Sequence, residues 1–225
     1  MTVTILDMNA GHANVGVQAI IDQVEAHGLS AKVVDVRGGE PLPRWPQALI
    51  GTGGPGSPAD GGTGIEACAA LLDRCIDLEV PVLGICFTFQ LMCRTVGAIV
   101  RPLRRPRMGI TQLSGRSRDR WLGPVGIGPV FENRTLGVFG KGDFRPLETE
   151  GEQVIAARFS HNAVGCVFHP EADPESVRVF LANREHIQVD PERGDVFSRQ
   201  ADRLGHTRQV LLGGFLRGLQ EPLPE

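Results

Sequence analysis

The chain has 225 residues, 41% of them hydrophobic, with 23 Lys and Arg set against 26 Asp and Glu for a formal charge of −3. That length is enough to bury one α/β core, and a pI near 6.1 offers no global basic field for nucleic acid. No run of about 18 apolar residues and no cationic leader with an apolar core precedes a cleavage site, so the expectation is a cytoplasmic protein with no membrane partner. Residues 2–6 read as a strand, and 13–26 carry helical spacing through Val17, Ile20, Ile21 and Val24 until Gly28 stops them. A second strand at 31–36 leads through Gly38-Gly39 and a proline-rich loop, 41–46, to a third at 48–51. A helix at 64–76, an apolar strand at 80–85 and a helix at 87–96 follow.

Strands alternating with helices imply a parallel sheet covered on both faces, with functional loops at the carboxyl ends of its strands. After Gly97 the pattern changes to short strand candidates at 125–130, 136–139, 154–157 and 165–168, separated by turn residues and expected to form an antiparallel edge. Residues 174–219 read as two helices packed on the same domain. One domain over 1–225 is expected, with its core at about 1–173 and no internal repeat.

The five cysteines form no Cys-x-x-Cys pair and are odd in number, which suggests neither a zinc framework nor a disulfide scaffold. Cys68, Cys75 and Cys93 sit in helix-like apolar patterns and read as packing residues. Cys166 lies three residues before His169 and reads as a buried strand residue close to it.

Cys86 differs, because it stands where the apolar run 80–85 meets a helix. A nucleophile at a sharp strand-to-helix turn is held clear of the sheet, with helix amides pointing at whatever it attacks. Far downstream, Phe168-His169-Pro170-Glu171 offers a base and a carboxylate to orient it, a Cys/His/acid set. Alone, each part has a bland reading as core cysteine or strand-end turn. Three features in order argue for catalysis: Gly51-Thr52-Gly53-Gly54-Pro55-Gly56 after one strand, the cysteine elbow after the next, and His-Pro-Glu after a late one.

On these three motifs, residues 2–173 resemble the class I, triad-type glutamine amidotransferases. The resemblance implies a flavodoxin-like, mostly parallel twisted sheet with helices on both faces, antiparallel edge strands and a C-terminal helical extension. It implies Cys86 as nucleophile, His169 as base and Glu171 as orienting acid. The amides of Gly54 and Phe87 would form the oxyanion hole, with Gly53, Thr88 and Gln90 at the substrate. No metal or cofactor enters this chemistry. It also implies that ammonia passes to a separate synthetase partner, since no Gly-x-x-x-x-Gly-Lys-Ser/Thr loop is present.

Three positions depart from the family pattern. Thr88 stands where glycine is usual, and its β-branch is expected to open the elbow or reshape the pocket. Val167 replaces a common glutamine, and Gly140-Lys141-Gly142-Asp143 stands where Ser-His is frequent. A γ-glutamyl peptide or amide hydrolase using water alone, and an interaction module that has lost glutamine binding, are the alternatives. Two further features are the polar turn at 7–14, read as capping chemistry or a site rim, and a stretch bearing Arg101, Arg104, Arg105, Arg107, Arg116, Arg118 and Arg120. The latter reads as a solvated loop able to meet an acidic partner or an anionic acceptor.

Overall fold

The computed structural model describes residues 1–9, 15–175, 177 and 191–220, with side chains described at all of them except residues 15 and 191–202. Most of the first expected C-terminal helix and most of the polar turn at 7–14 lie outside these residues.

The amino-terminal half follows its hydrophobic pattern. Strands β1 (Thr2–Asp7), β2 (Ser30–Asp35), β3 (Ala48–Gly51) and β4 (Val82–Ile85) run parallel, in the order β2-β1-β3-β4. All four residues of β3 and of β4 are buried, as an apolar strand covered on both faces requires. Helix α1 (Val15–Ala26) connects β1 to β2, α2 (Thr63–Asp77) connects β3 to β4, and α3 (Phe87–Thr95) follows β4. Val17, Ile20 and Val24 of α1 join Val3 and Ile5 in one core cluster. Ile65, Cys68 and Leu72 of α2 join Leu6 and Leu49 in a second. The two clusters lie on opposite faces because alternate residues of β1 point opposite ways.

The sheet continues as β9-β8-β6-β5, with β7 paired to β8. Strand β9 (Ala163–Cys166) is parallel to β4 and sets Cys166 beside Ile85. Strands β8 (Gln153–Arg158), β7 (Arg145–Glu150), β6 (Pro129–Phe139) and β5 (Ile99–Gln112) are antiparallel to their neighbours.

Here the structure corrects the sequence reading. Residues 129–139 form one strand, not two, because the polar Glu132 and Arg134 in its middle neutralise each other. They are almost wholly buried, with Arg134 Nε donating to Glu132 Oε2 at 2.6 Å. Residues 99–112, read largely as loop, form the edge strand β5. A register break between Pro102 and Arg107 hides its period, and Pro102 and Pro106 are tolerated there because an edge strand has one unpaired side. Strand β7, which begins Arg-Pro, was not anticipated either.

Asp119 organises the segment that joins β5 to β6. It accepts a fork from Arg158, at 2.7 and 2.8 Å, a bond from Arg145 at 2.6 Å and the Trp121 amide at 2.8 Å. Burial alone would raise its carboxyl, but the hydrogen bonds from Arg158, Trp121 and Arg145 hold it down at about 2. The Trp121 indole then donates to the Leu211 carbonyl at 3.0 Å, fixing helix α4 (Pro191–Gly218). Leu211, Leu212, Phe215 and Leu216 of α4 enter the main core cluster.

Asp119→Asn should therefore destabilise the fold by roughly 3 kcal/mol, because it leaves the mostly buried Arg158 without a counter-charge. Its depressed pKa gives a sign. The contribution is present above the ordinary Asp value near 3.9 and is lost as pH falls through about 2. Urea midpoints of both proteins should differ at pH 7 and converge on acidification; equal midpoints at pH 7 would remove Asp119 from this role.

Candidate active site

Cys86 lies at the junction of β4 and α3 with φ 47° and ψ −98°. A non-glycine residue with that φ is strained by an amount on the order of 1–3 kcal/mol, so the surroundings must hold it. They do so from both sides. The Cys86 amide donates to Cys166 O at 2.8 Å, and Cys86 O accepts the Gln90 amide at 3.0 Å as the first turn of α3. Cys86 is only 6% exposed, and its Sγ is 3.9 Å from Asn133 O.

His169 follows β9 and is pinned by its amide, which donates to Phe131 O at 2.8 Å in an isolated bridge to β6. Its Nδ1 lies 2.7 Å from Glu171 Oε1. Among the described residues, Nε2, the other ring nitrogen, is buried without a hydrogen-bond partner, as is Glu171 Oε2. Burial would lower the His169 pKa, but the Glu171 charge and contacts with Cys86 and Glu171 raise it well above the ordinary histidine value.

The glycine loop closes the arrangement. A Cβ on Gly53 would stand 2.8 Å from His169 Cε1 and 3.4 Å from Cys86 Cβ, so Gly53 sits directly against both. One on Gly54 would meet Met8 O at 2.3 Å, which restricts that position to glycine. Thr52 holds the loop: its hydroxyl accepts the Met8 amide at 3.0 Å and donates to Gly53 O at 2.9 Å. Arg37 adds a clamp, donating to Pro55 O at 2.5 Å while its guanidinium lies 4.7 Å from the Phe87 ring centre. Among the described residues, neither the Gly54 nor the Phe87 amide donates to a protein group.

Thr88 is wholly buried. Its hydroxyl donates to Thr52 O at 2.8 Å, and its methyl occupies the space a Gly51 side chain would need. That side chain braces the loop, and the Thr88 amide donates to the same Thr52 carbonyl at 3.4 Å. Gln90 is 3% exposed and its Nε2 is 3.5 Å from Leu136 O. Val167 is buried in the core, and Asp143 of the 140–143 segment donates its amide to Val96 O at the end of α3. Cys166 is fully buried, its Sγ 3.3 Å from Phe168 O, and burial drives its thiol well above the usual range.

Strand β6 is the part of the site that sequence reasoning missed. It presents Phe131 O to His169, Asn133 O to Cys86 and Leu136 O to Gln90. These are backbone carbonyls, which leave no mark in residue type. Among the described residues no cluster of His, Cys, Asp and Glu suits a metal ion, and no helix is long and apolar enough to cross a membrane.

Gly53→Ala tests the packing directly. The new methyl should push the His169 ring away from Cys86 and lower kcat by about 10²-fold, the scale of a misplacement near 1 Å. The urea midpoint should fall far less, and undiminished kcat would show that the ring does not depend on Gly53.

Comparison with known proteins gives the chain a family and its fold close likenesses. The chain is 31% identical over 132 residues to a GMP synthase [glutamine-hydrolyzing] of Mycolicibacterium paratuberculosis, covering 57% of this chain and 24% of that protein. It is 27% identical over 166 residues to the carbamoyl phosphate synthase small chain of Parasynechococcus marenigrum, covering 70% and 41%. The chain thus spans about a quarter of the length of the GMP synthase that it matches. In fold it resembles the crystal structure of a glutamine amidotransferase from Methylobacillus flagellatus, with TM-score 0.81, 18% identity and coverage of 100% and 96%. A second, from Thermotoga maritima, gives TM-score 0.79, 17% identity and coverage of 98% and 99%. The family described as "Glutamine amidotransferase class-I" matches residues 14–189, and the chain belongs to the class-I glutamine amidotransferases.

Proposed function

We propose that this chain hydrolyses the side-chain amide of glutamine to glutamate and ammonia through a Cys86 thioester, and that the ammonia goes to a separate synthetase. The observation that carries this reading is a strained Cys86 packed through Gly53 against a His169 already oriented by Glu171.

His169 Nε2 takes the thiol proton, and the sulfur attacks the amide carbon. The Gly54 and Phe87 amides receive the oxyanion, each such donor being typically worth about 10²–10³ in rate. The imidazolium returns its proton to the departing nitrogen as the C–N bond breaks, releasing ammonia and leaving the thioester. Water, deprotonated by His169, then attacks the acyl carbon, the C–S bond breaks, and glutamate leaves.

The main reason to prefer a γ-glutamyl peptide substrate was a pocket reshaped by Thr88, and that side chain is committed to Thr52 and Gly51. Glutamine is therefore the substrate proposed. A synthetase partner is supported by the relatives, which are named as synthases or as a synthase chain. The test is glutamate release by the purified chain from glutamine and, in parallel, from γ-glutamyl dipeptides. Faster release from the dipeptides would replace this reading with the hydrolase.

A further inference from the structure

A concave region lies along the edge strand β5. Arg101, Leu103, Arg104, Arg105, Phe139 and Gln153 line a cleft of about 780 Å³, with Arg107 at one side. Arg107 is neutralised by Glu150 at 2.5 Å. Arg101, Arg104 and Arg105 are exposed and, among the described residues, have no carboxylate partner. The cleft lining contains no acidic residue. Three uncompensated positive charges thus gather in one concavity of a chain whose formal charge is −3.

The guanidinium carbon of Arg101 lies over the Phe139 ring, 4.0 Å from its centre. Gln153 on the lining is held by Arg134, whose Nη1 donates to its Oε1 at 3.0 Å. Arg134 is 4% exposed and, among the described residues, its buried Nη2 has no protein partner. The cleft therefore combines free surface guanidiniums with a Gln153 side chain fixed from inside the protein.

The size is that of a small-molecule site, for which about 300–1,000 Å³ is usual. The charge narrows the class. Three guanidiniums in so small a volume call for several negative charges on a compact ligand, with oxygens matching the guanidinium fork. A single carboxylate supplies too little charge, whereas linked phosphates supply enough. Prolines at 102 and 106 remove two backbone donors there, which leaves the guanidiniums as the principal donors of the cleft. We propose that this cleft is a binding site for a small oligophosphate-bearing anion.

The probe is tripolyphosphate, titrated calorimetrically into the full chain at low ionic strength. One-site binding is expected, weakened about tenfold or more in R104E/R105E, as the loss of paired charge-assisted bonds implies. R116E/R118E removes two exposed arginines outside the cleft and should leave affinity within about twofold, beyond ordinary screening effects. R104Q/R105Q provides the same test without reversed charge, and unfolding midpoints near wild type establish that each variant is folded. Absence of binding, equal weakening by both glutamate doublets, or tighter binding of an oligoglutamate peptide than of tripolyphosphate would overturn the proposal. None of these readouts uses glutamine turnover, so they stand apart from the chemistry at Cys86.

Discussion

Cys86→Ala is expected to lower glutamate release from glutamine by about 10⁴-fold or more, the scale on which loss of a nucleophile abolishes triad catalysis. The change should spare the fold, because the residue is small, buried and already held at positive φ by the Cys166 and Gln90 contacts. A diazoketone analogue of glutamine supplies a second readout. It should add one label to the wild-type chain, at Cys86, and none to the variant.

The other four cysteines make that selectivity a physical expectation. Burial pushes Cys68 up to about 12 and Cys75 to about 11, and Cys93 and Cys166 well above the ordinary range. Only the thiolate is an effective nucleophile, so these four stay silent near neutral pH. Substantial turnover by the alanine variant, or labelling elsewhere, would sink the assignment of Cys86.

Glu171→Gln should carry the next largest effect, a loss of about 10²–10⁴-fold in kcat, since general-base catalysis depends on a correctly oriented imidazole. Glutamine keeps the shape but removes the charge that His169 Nδ1 faces at 2.7 Å. The pH dependence of stability adds a signature. Burial works to lower the His169 pKa, yet the Glu171 charge and the contacts with Cys86 and Glu171 raise it. A raised histidine pKa contributes stability that is full below the ordinary value near 6.5 and is lost as pH rises through the folded value. The urea midpoint of wild type should thus exceed that of the variant most at or just below pH 6.5. The gap should narrow on the alkaline side. A gap independent of pH would show that Glu171 serves packing rather than charge.

The sequence disclosed those parts of the fold in which residue type and environment agree. Val82 to Ile85 form a buried strand because four apolar-compatible residues in a row suit a position covered on both faces. Cys86, His169 and Glu171 stood out because their chemistry is uncommon at strand ends. Strand β5 was obscured by arginines and prolines that an edge permits, and β6 by the Glu132–Arg134 pair in its interior. The carbonyls of Asn133 and Leu136 at the site were beyond sequence reasoning, because any residue supplies one. Thr88 was visible as an oddity, but only the structure shows its hydroxyl on Thr52 O and its methyl against Gly51.

The prolines of β5 also bear on how this molecule meets others. Among the described residues the sheet ends at β2 and β5, and β7 pairs only with β8. Lys32 stands exposed within β2, Pro102 and Pro106 interrupt β5, and Pro146 lies in β7. A lysine or proline on a free edge discourages a foreign strand from pairing there. Growth of the sheet by strand addition is thus opposed at every margin. Those edges favour contacts made through the shape and charge of side chains over strand-to-strand pairing, the route by which fibrils grow.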